Sequence, residues 1–241
     1  LRDDTKEQEY KRLIEDFNKE LESQVEIKTE QIIQMQDDII ISMASIVENR
    51  DNNTGGHVKR TSDVIKIFVE YLDKDETFEE LDRQYARCII KAAPLHDFGK
   101  IAISDVILNK PGKFTIEEYE EMKKHPAKGA IIVERILQNS SDEQFKKVAV
   151  NVAHYHHEKW AGGGYPENLS GETIPFEARV MALADVFDAL VSKRVYKDKF
   201  SYDEAFKIIE ESSGSHFDPL LCEKFLECKD ELIKLYDSYV D

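Results

Sequence analysis

Histidine and aspartate stand side by side in Leu95-His96-Asp97-Phe98-Gly99-Lys100. A neutral imidazole beside a carboxylate is a ligand set for a borderline or hard divalent metal, and the two oxygens of one aspartate can bridge two ions. Adjacent side chains turn toward one point only where a helix ends or loosens, and Gly99 supplies that loosening. Lys100 then stands ready to meet an anion, with phosphate the natural candidate. The bland alternative is a helix C-terminus where His96 caps carbonyls and Asp97 is solvated. Elsewhere His57 follows a Gly-Gly bend, His125 precedes Pro126, and His156-His157 precede Glu158-Lys159-Trp160. Asp185 sits within Ala182-Leu183-Ala184-Asp185-Val186-Phe187. A carboxylate on so apolar a stretch is costly without a partner. Each residue alone has an innocent reading: a capping or surface His, or an Asp bound to an Arg. Five histidines and two aspartates, nearly all at expected helix junctions, are explained together by a metal cluster. His154 and His216 read as structural or supporting, Trp160 as a packing anchor, and Arg179 as either a core bridge or a phosphate contact.

The elements that must position these side chains read as helices throughout. Residues 1–46 contain no Gly or Pro and are rich in Glu, Lys and Gln. Val25, Ile32, Ile39 and Ile46 recur every seven residues, with Ile14, Leu21 and Met35 on the alternating seam. That is a heptad pattern, weakened by Lys28 and Ser42, and it predicts a parallel dimeric coiled coil. The rival is an amphipathic helix packed on its own domain. After a bend over 48–57, a helix from His57 turns Val58, Ile65, Phe68, Val69 and Leu72 inward. A third, Tyr85 to Leu95, delivers the His-Asp pair. Thr115 with Glu118 forms a capping-box signature, a further helix runs from His125 to about Leu137, and Ser140 with Glu143 starts the helix ending at His156-His157. Residues 158–175 are a glycine-rich loop. Pro175 opens a helix through Leu190, and Ser201 and Asp218 start two closing helices. No period-2 alternation is long enough for a strand, so the fold class is all-α, divided into a signalling helix (1–46) and a helical domain that carries the histidines (47–241).

Composition limits the functions open to this chain. A net charge of −16 argues against a nucleic-acid polymer as partner, although metals and a few local cations can invert the sign inside one cleft. The three cysteines, Cys88, Cys222 and Cys228, have no ligand-like spacing and read as reduced, in a cytoplasmic setting. No apolar run approaches a membrane span. The chain starts at Leu1 and reads as a fragment of something longer.

The ordered motifs also carry a resemblance. His-Asp-Phe-Gly-Lys, His156-His157-Glu158-Lys159-Trp160 and Gly164-Tyr165-Pro166 are similar to those of the HD-GYP subgroup of HD-domain phosphohydrolases. So are Asp51 to His57, Lys124-His125-Pro126, Ala184 to Ala189 and His216-Phe217-Asp218-Pro219. The resemblance implies an all-α bundle that holds two or three iron or manganese ions and hydrolyses cyclic di-GMP. It implies metal ligands at His57, His96, Asp97, His125, His156, His157 and Asp185. Asp97 and Lys100 would be catalytic, with Lys100 on phosphate, Gly164 and Tyr165 in the substrate loop, and Arg194 with Lys197 near the nucleotide. Ala161 and Phe98 depart from the family pattern without removing a ligand. Asn53 stands where some members carry a glutamate that holds a third ion, which favours two. The expected reaction is attack of activated water on phosphorus, giving linear pGpG and continuing to GMP. The rivals are another cyclic dinucleotide as substrate, or a non-catalytic receptor. In relatives of this layout the long helix follows a receiver domain, so an upstream receiver or sensor is expected.

Overall fold

Helices built on two kinds of sequence meet in one chain: a charged one without breakers, and a set of short amphipathic ones. The computed structural model describes residues 6–51, 56–192 and 200–239, together with the backbone of 2–5. No strand occurs among the described residues; the only extended pairing there is a single bridge between Ser213 and Phe217. The chain divides into two compact units, residues 1–40 and 41–241.

The first unit is the N-terminal part of α1 (Arg2–Glu48), a continuous 47-residue helix. The seam residues Ile14, Leu21, Val25, Ile32, Met35 and Ile39 are 49–58% exposed within the single chain.

In the second unit the last turns of α1 bury Ala44 and Val47. Helix α2 (His57–Leu72) buries Val58, Thr61, Val64, Ile65, Phe68, Val69 and Leu72, the one-sided stripe that a 3.6-residue period requires. Next come α3 (Arg83–Ala92), the one-turn α4 (Asp105–Leu108) and α5 (Ile116–Met122), then α6 (His125–Ile136) and α7 (Glu143–Tyr155). Helix α8 (Phe176–Val191) is buried nearly all round and packs against α2, α7 and α9 (Tyr202–Glu211). The chain closes with α10 (Pro219–Glu227) and α11 (Lys229–Ser238). Phe187 of α8 joins the layers, with ring centroids 4.9 Å from Phe206, 5.6 Å from Phe225 and 5.3 Å from Tyr236.

Capping follows the expected residues at α5, where the Thr115–Glu118 box forms, at α9 (Ser201–Glu204) and at α10 (Asp218). Helix α7 differs. Its cap is Asp142, whose carboxylate accepts from Phe145 N–H, while Ser140 accepts only from Asp142 N–H. Aspartate adds charge to the cap and so competes better for the orphan amides. Helix α11 is a third closing helix; its N-cap position, Cys228, offers no side-chain cap to signal it.

Candidate metal centre

Every candidate ligand but Asp185 sits at a helix start, end or turn, and the backbone there fixes its side chain. His57 is the first residue of α2, after Gly56 at φ 97°, a left-handed conformation that glycine adopts without strain. His96 and Asp97 lie between two 3-10 turns, Ala93–Leu95 and Phe98–Ala102. His125 opens α6, His156 caps the C-terminus of α7 with His157 next, and Asp185 projects from the middle of α8.

Gly99 works differently from the expected loosening. A Cβ there would lie 1.9 Å from the His125 carbonyl oxygen and 2.5 Å from Gly129 N. The residue is needed for close packing, which lets the turn after Asp97 press against the start of α6 and brings His125 to the His-Asp pair.

The ring nitrogens divide into two sets. Nδ1 of His96 donates to Ala93 O (2.9 Å), that of His125 to Met122 O (2.8 Å), that of His156 to Val152 O (3.0 Å), and that of His57 to Asp188 Oδ2 (2.7 Å). Carbonyl and carboxylate oxygens only accept, so Nδ1 carries the proton in all four rings, and in the neutral rings each Nε2 presents a lone pair. The Nε2 atoms face one another in pairs: His57 Nε2 is 3.1 Å from His96 Nε2, and His125 Nε2 is 3.4 Å from His156 Nε2. Such a nitrogen pair needs a proton or a metal cation between its members; burial would lower the His57 pKa, but the Asp188 hydrogen bond and the nearby carboxylates raise it. Burial holds His96 below the usual histidine range, and His156 and His157 well below it, which keeps these rings neutral and ready to coordinate.

Asp97 stands between the two pairs. Its Oδ2 is 3.5 Å from His96 Nε2 and 4.0 Å from His57 Nε2; its Oδ1 is 3.2 Å from His125 Nε2 and 3.8 Å from His156 Nε2. Two potential ligand groups therefore share one carboxylate: His57, His96 and Asp97, and Asp97, His125, His156 and His157. Asp185 lies beside the first, with Oδ1 3.6 Å from His57 Nε2. The cluster can hold metal ions, and its imidazole and carboxylate donors suit borderline divalent ones. Burial would raise the Asp97 carboxyl, but Lys100 and the surrounding histidines hold it well below the usual range. Lys100 Nζ lies 2.7 Å from Asp97 and 3.1 Å from Asp51, and these carboxylates outweigh its burial and raise its pKa.

The glycine loop closes one side. Buried Glu158 accepts from Glu167 N–H (2.7 Å) and Leu169 N–H (2.9 Å), folding the loop back on the end of α7. A Cβ on Gly164 would lie 2.5 Å from Glu158 Cα, so only glycine lets the strand-like return pass. Tyr165 thereby lays its ring against His157, centroids 4.7 Å apart.

Six of the seven expected ligands fall in these two groups and Asp185 lies beside His57, with Lys100, Gly164 and Tyr165 at the edge. Arg194, Lys197 and Asn53 lie outside the described residues. His154 pairs with Glu167 and His216 stacks on Phe217. Arg179 bridges the core: it pairs with Asp218, bonds Ile174 O and lies over Trp160.

Several residues that shape the centre were not singled out by sequence reasoning. Asp188 is 2% exposed and accepts from His57 Nδ1, Arg60 Nε (2.6 Å), Ser192 Oγ (3.0 Å) and Tyr236 Oη (2.7 Å). Burial alone would raise its pKa, but the bonds from His57 and Arg60 hold it far below the carboxylate range. Its signal was available: a second aspartate on the same apolar helix, three residues after Asp185 and so on the same face. Glu48 and Asp51 line the same cavity as Asp97, Lys100 and Asp185.

Comparison with known proteins agrees with this architecture. The model of the HD domain family matches residues 41–221. The chain belongs to the HD-domain family. Among curated relatives of this HD-domain chain, a cyclic di-GMP phosphodiesterase of Vibrio cholerae is 45% identical over 223 residues, 91% of this chain and 44% of the relative. A 3'3'-cGAMP-specific phosphodiesterase of the same organism is 39% identical, over 85% of this chain and 37% of the relative. The chain thus spans less than half the length of these relatives. The crystal structure of a cyclic GMP-AMP specific phosphodiesterase of V. cholerae shares the fold, with TM-score 0.57 at 20% identity, over 83% of this chain and 53% of that one. No helix among the described residues is long and apolar enough to cross a membrane.

Proposed function

We propose that this HD-domain chain is a metal-dependent phosphodiesterase that hydrolyses cyclic di-GMP to linear pGpG and onward to GMP. The observation that carries the proposal is the two pairs of facing Nε2 atoms, divided between the two oxygens of Asp97. The relative of 45% identity, named for cyclic di-GMP, supports the substrate.

In this reading His57, His96, Asp97 and Asp185 hold one ion, and Asp97, His125, His156 and His157 hold a second, with iron or manganese the metal. Such ions, when bound, supply Lewis-acid activation of water and neutralise phosphoryl charge. Asp97 keeps the two ligand groups in register by offering one oxygen to each. Lys100, held cationic by Asp97 and Asp51, offsets charge growing on the non-bridging oxygens. Tyr165, braced on His157 and admitted by Gly164, forms a wall for the nucleotide; Arg194 and Lys197 complete the substrate contacts.

A second substrate has its own support, because the relative of 39% identity is named for 3'3'-cGAMP. A panel of cyclic di-GMP and 3'3'-cGAMP, with a chelated control, separates the readings. Chelator-sensitive turnover of cyclic di-GMP in preference to its rival supports the proposal; preference for 3'3'-cGAMP transfers the assignment to that substrate. Tight binding of either without turnover overturns both in favour of a receptor.

The partners are proposed on the same footing. The exposed heptad seam of residues 1–46 supports a parallel homodimer, with the HD domain in 47–241. The relatives are longer than the stretch they share with this chain, and an upstream receiver or sensor domain is proposed from the resemblance alone. Three buried, unpaired cysteines support a reducing cytoplasmic setting.

A further inference from the structure

The first two amides of α2 have no local cap. Gly56 occupies the N-cap position and offers no side chain. Their acceptor comes from the last residue of α1: Glu48 Oε1 lies 2.5 Å from His57 N, and Oε2 lies 3.4 Å from Val58 N. A carboxylate at that place satisfies orphan donors and complements the helix dipole.

Arg50 and Asp51, two and three residues further on, reach the other side of the centre. Arg50 donates through Nη1 to Ile101 O (2.8 Å) and through Nη2 to Ile103 O (3.4 Å) and Asp105 (2.7 Å). Asp51 takes Lys100 Nζ at 3.1 Å. One short segment thus ties together the backbone that begins with His57 and the backbone that leaves Asp97. Ala44 and Val47, buried in the preceding turn, fix its position.

We infer that Glu48 is a positioning residue for the metal centre, setting the distance between the His57 ring and the His96-Asp97 pair. Asp188 fixes the orientation of the His57 ring; Glu48 fixes where its backbone stands. The end of α1 therefore reaches the ligand set through hydrogen bonds, and its last turn belongs to the centre. The inference rests on the metal-centre reading above, and it also makes a claim about the metal-free protein.

Two variants test it, Glu48→Ala and Glu48→Gln, the second keeping an amide oxygen to accept from His57 N–H. In metal-stripped protein, hydrogen exchange of the His57 and Val58 amides is expected to be slow in wild type, fast in Glu48→Ala and intermediate in Glu48→Gln. On titration with Mn2+, Glu48→Ala is expected to bind one ion per chain as wild type does and the other about tenfold to a hundredfold more weakly. Its kcat is expected to fall with KM unchanged, and Glu48→Gln to recover most of both.

Equal exchange in wild type and Glu48→Ala overturns the inference, whatever the metal titration gives. So does Mn2+ binding by Glu48→Ala that matches wild type. A Glu48→Gln variant as damaged in metal binding as Glu48→Ala, with its amides still protected, overturns it in favour of Glu48 as a direct ligand. Wild type that binds no Mn2+ sinks the metal reading alone, because the exchange result stands apart from it.

Discussion

Asp188 receives hydrogen bonds from four side chains, and one of them carries a candidate ligand ring. Replacing it by Asn keeps the shape but puts an amide donor where His57 or Arg60 already donates, and it leaves the Arg60 guanidinium without its carboxylate. Breaking a buried ion pair on one side costs about 3 kcal/mol, which corresponds to a fall in Tm of roughly 6–12 °C for a chain of this size. Asp188→Asn is expected to show that fall in thermal denaturation, together with weaker Mn2+ binding. An unchanged Tm would mean that the network adds little to stability. At this scale the sequence was informative about residues that can ligate and less so about those that hold them. Six candidate ligands announce themselves by type and junction position, and Asp185 by its charge on an apolar helix. Asp188 gives only the signal of a second aspartate on that helix face and Glu48 gives none, because their partners, Tyr236 and the His57 amide, are brought near only by the fold.

Helix termini do the positioning, and they depend on what the chain cannot fit as much as on what it contains. Gly99 and Gly129 touch backbone to backbone where the turn after Asp97 meets α6. Gly99→Ala would force that contact apart. Overpacking of this kind costs about 1–3 kcal/mol, and here it displaces His125 from Asp97. The variant is expected to unfold at lower temperature and to hold less metal; wild-type values for both would show that the turn yields without cost. The helices were legible from apolar period and capping boxes because those signals are local. The role of Gly99 was not, since its neighbour lies on another element, and neither was α11, which starts without a capping side chain.

At the scale of the whole molecule, a single helix runs from the heptad region into the unit that carries the metal centre. Its exposed seam predicts self-association through residues 1–46, with two chains per particle by light scattering at micromolar concentration. A monomer would remove the coiled-coil reading and leave the catalytic proposal intact. Family membership and the all-helical fold were both legible beforehand, since ordered motifs spread over most of the chain are hard to retain without the fold that joins them. The substrate was not legible to the same degree, because the two expected nucleotide contacts at Arg194 and Lys197 cannot distinguish guanine from adenine by residue type.

The claim on which the account turns is that Asp97 joins two metal sites. The direct test is metal content and cyclic di-GMP turnover measured on one sample of protein purified without oxygen, beside Asp97→Ala prepared identically. The account predicts two ions per chain and chelator-sensitive turnover in wild type, with both lost in a folded Asp97→Ala. Turnover that survives chelation, or an Asp97→Ala variant that keeps two ions, would contradict it.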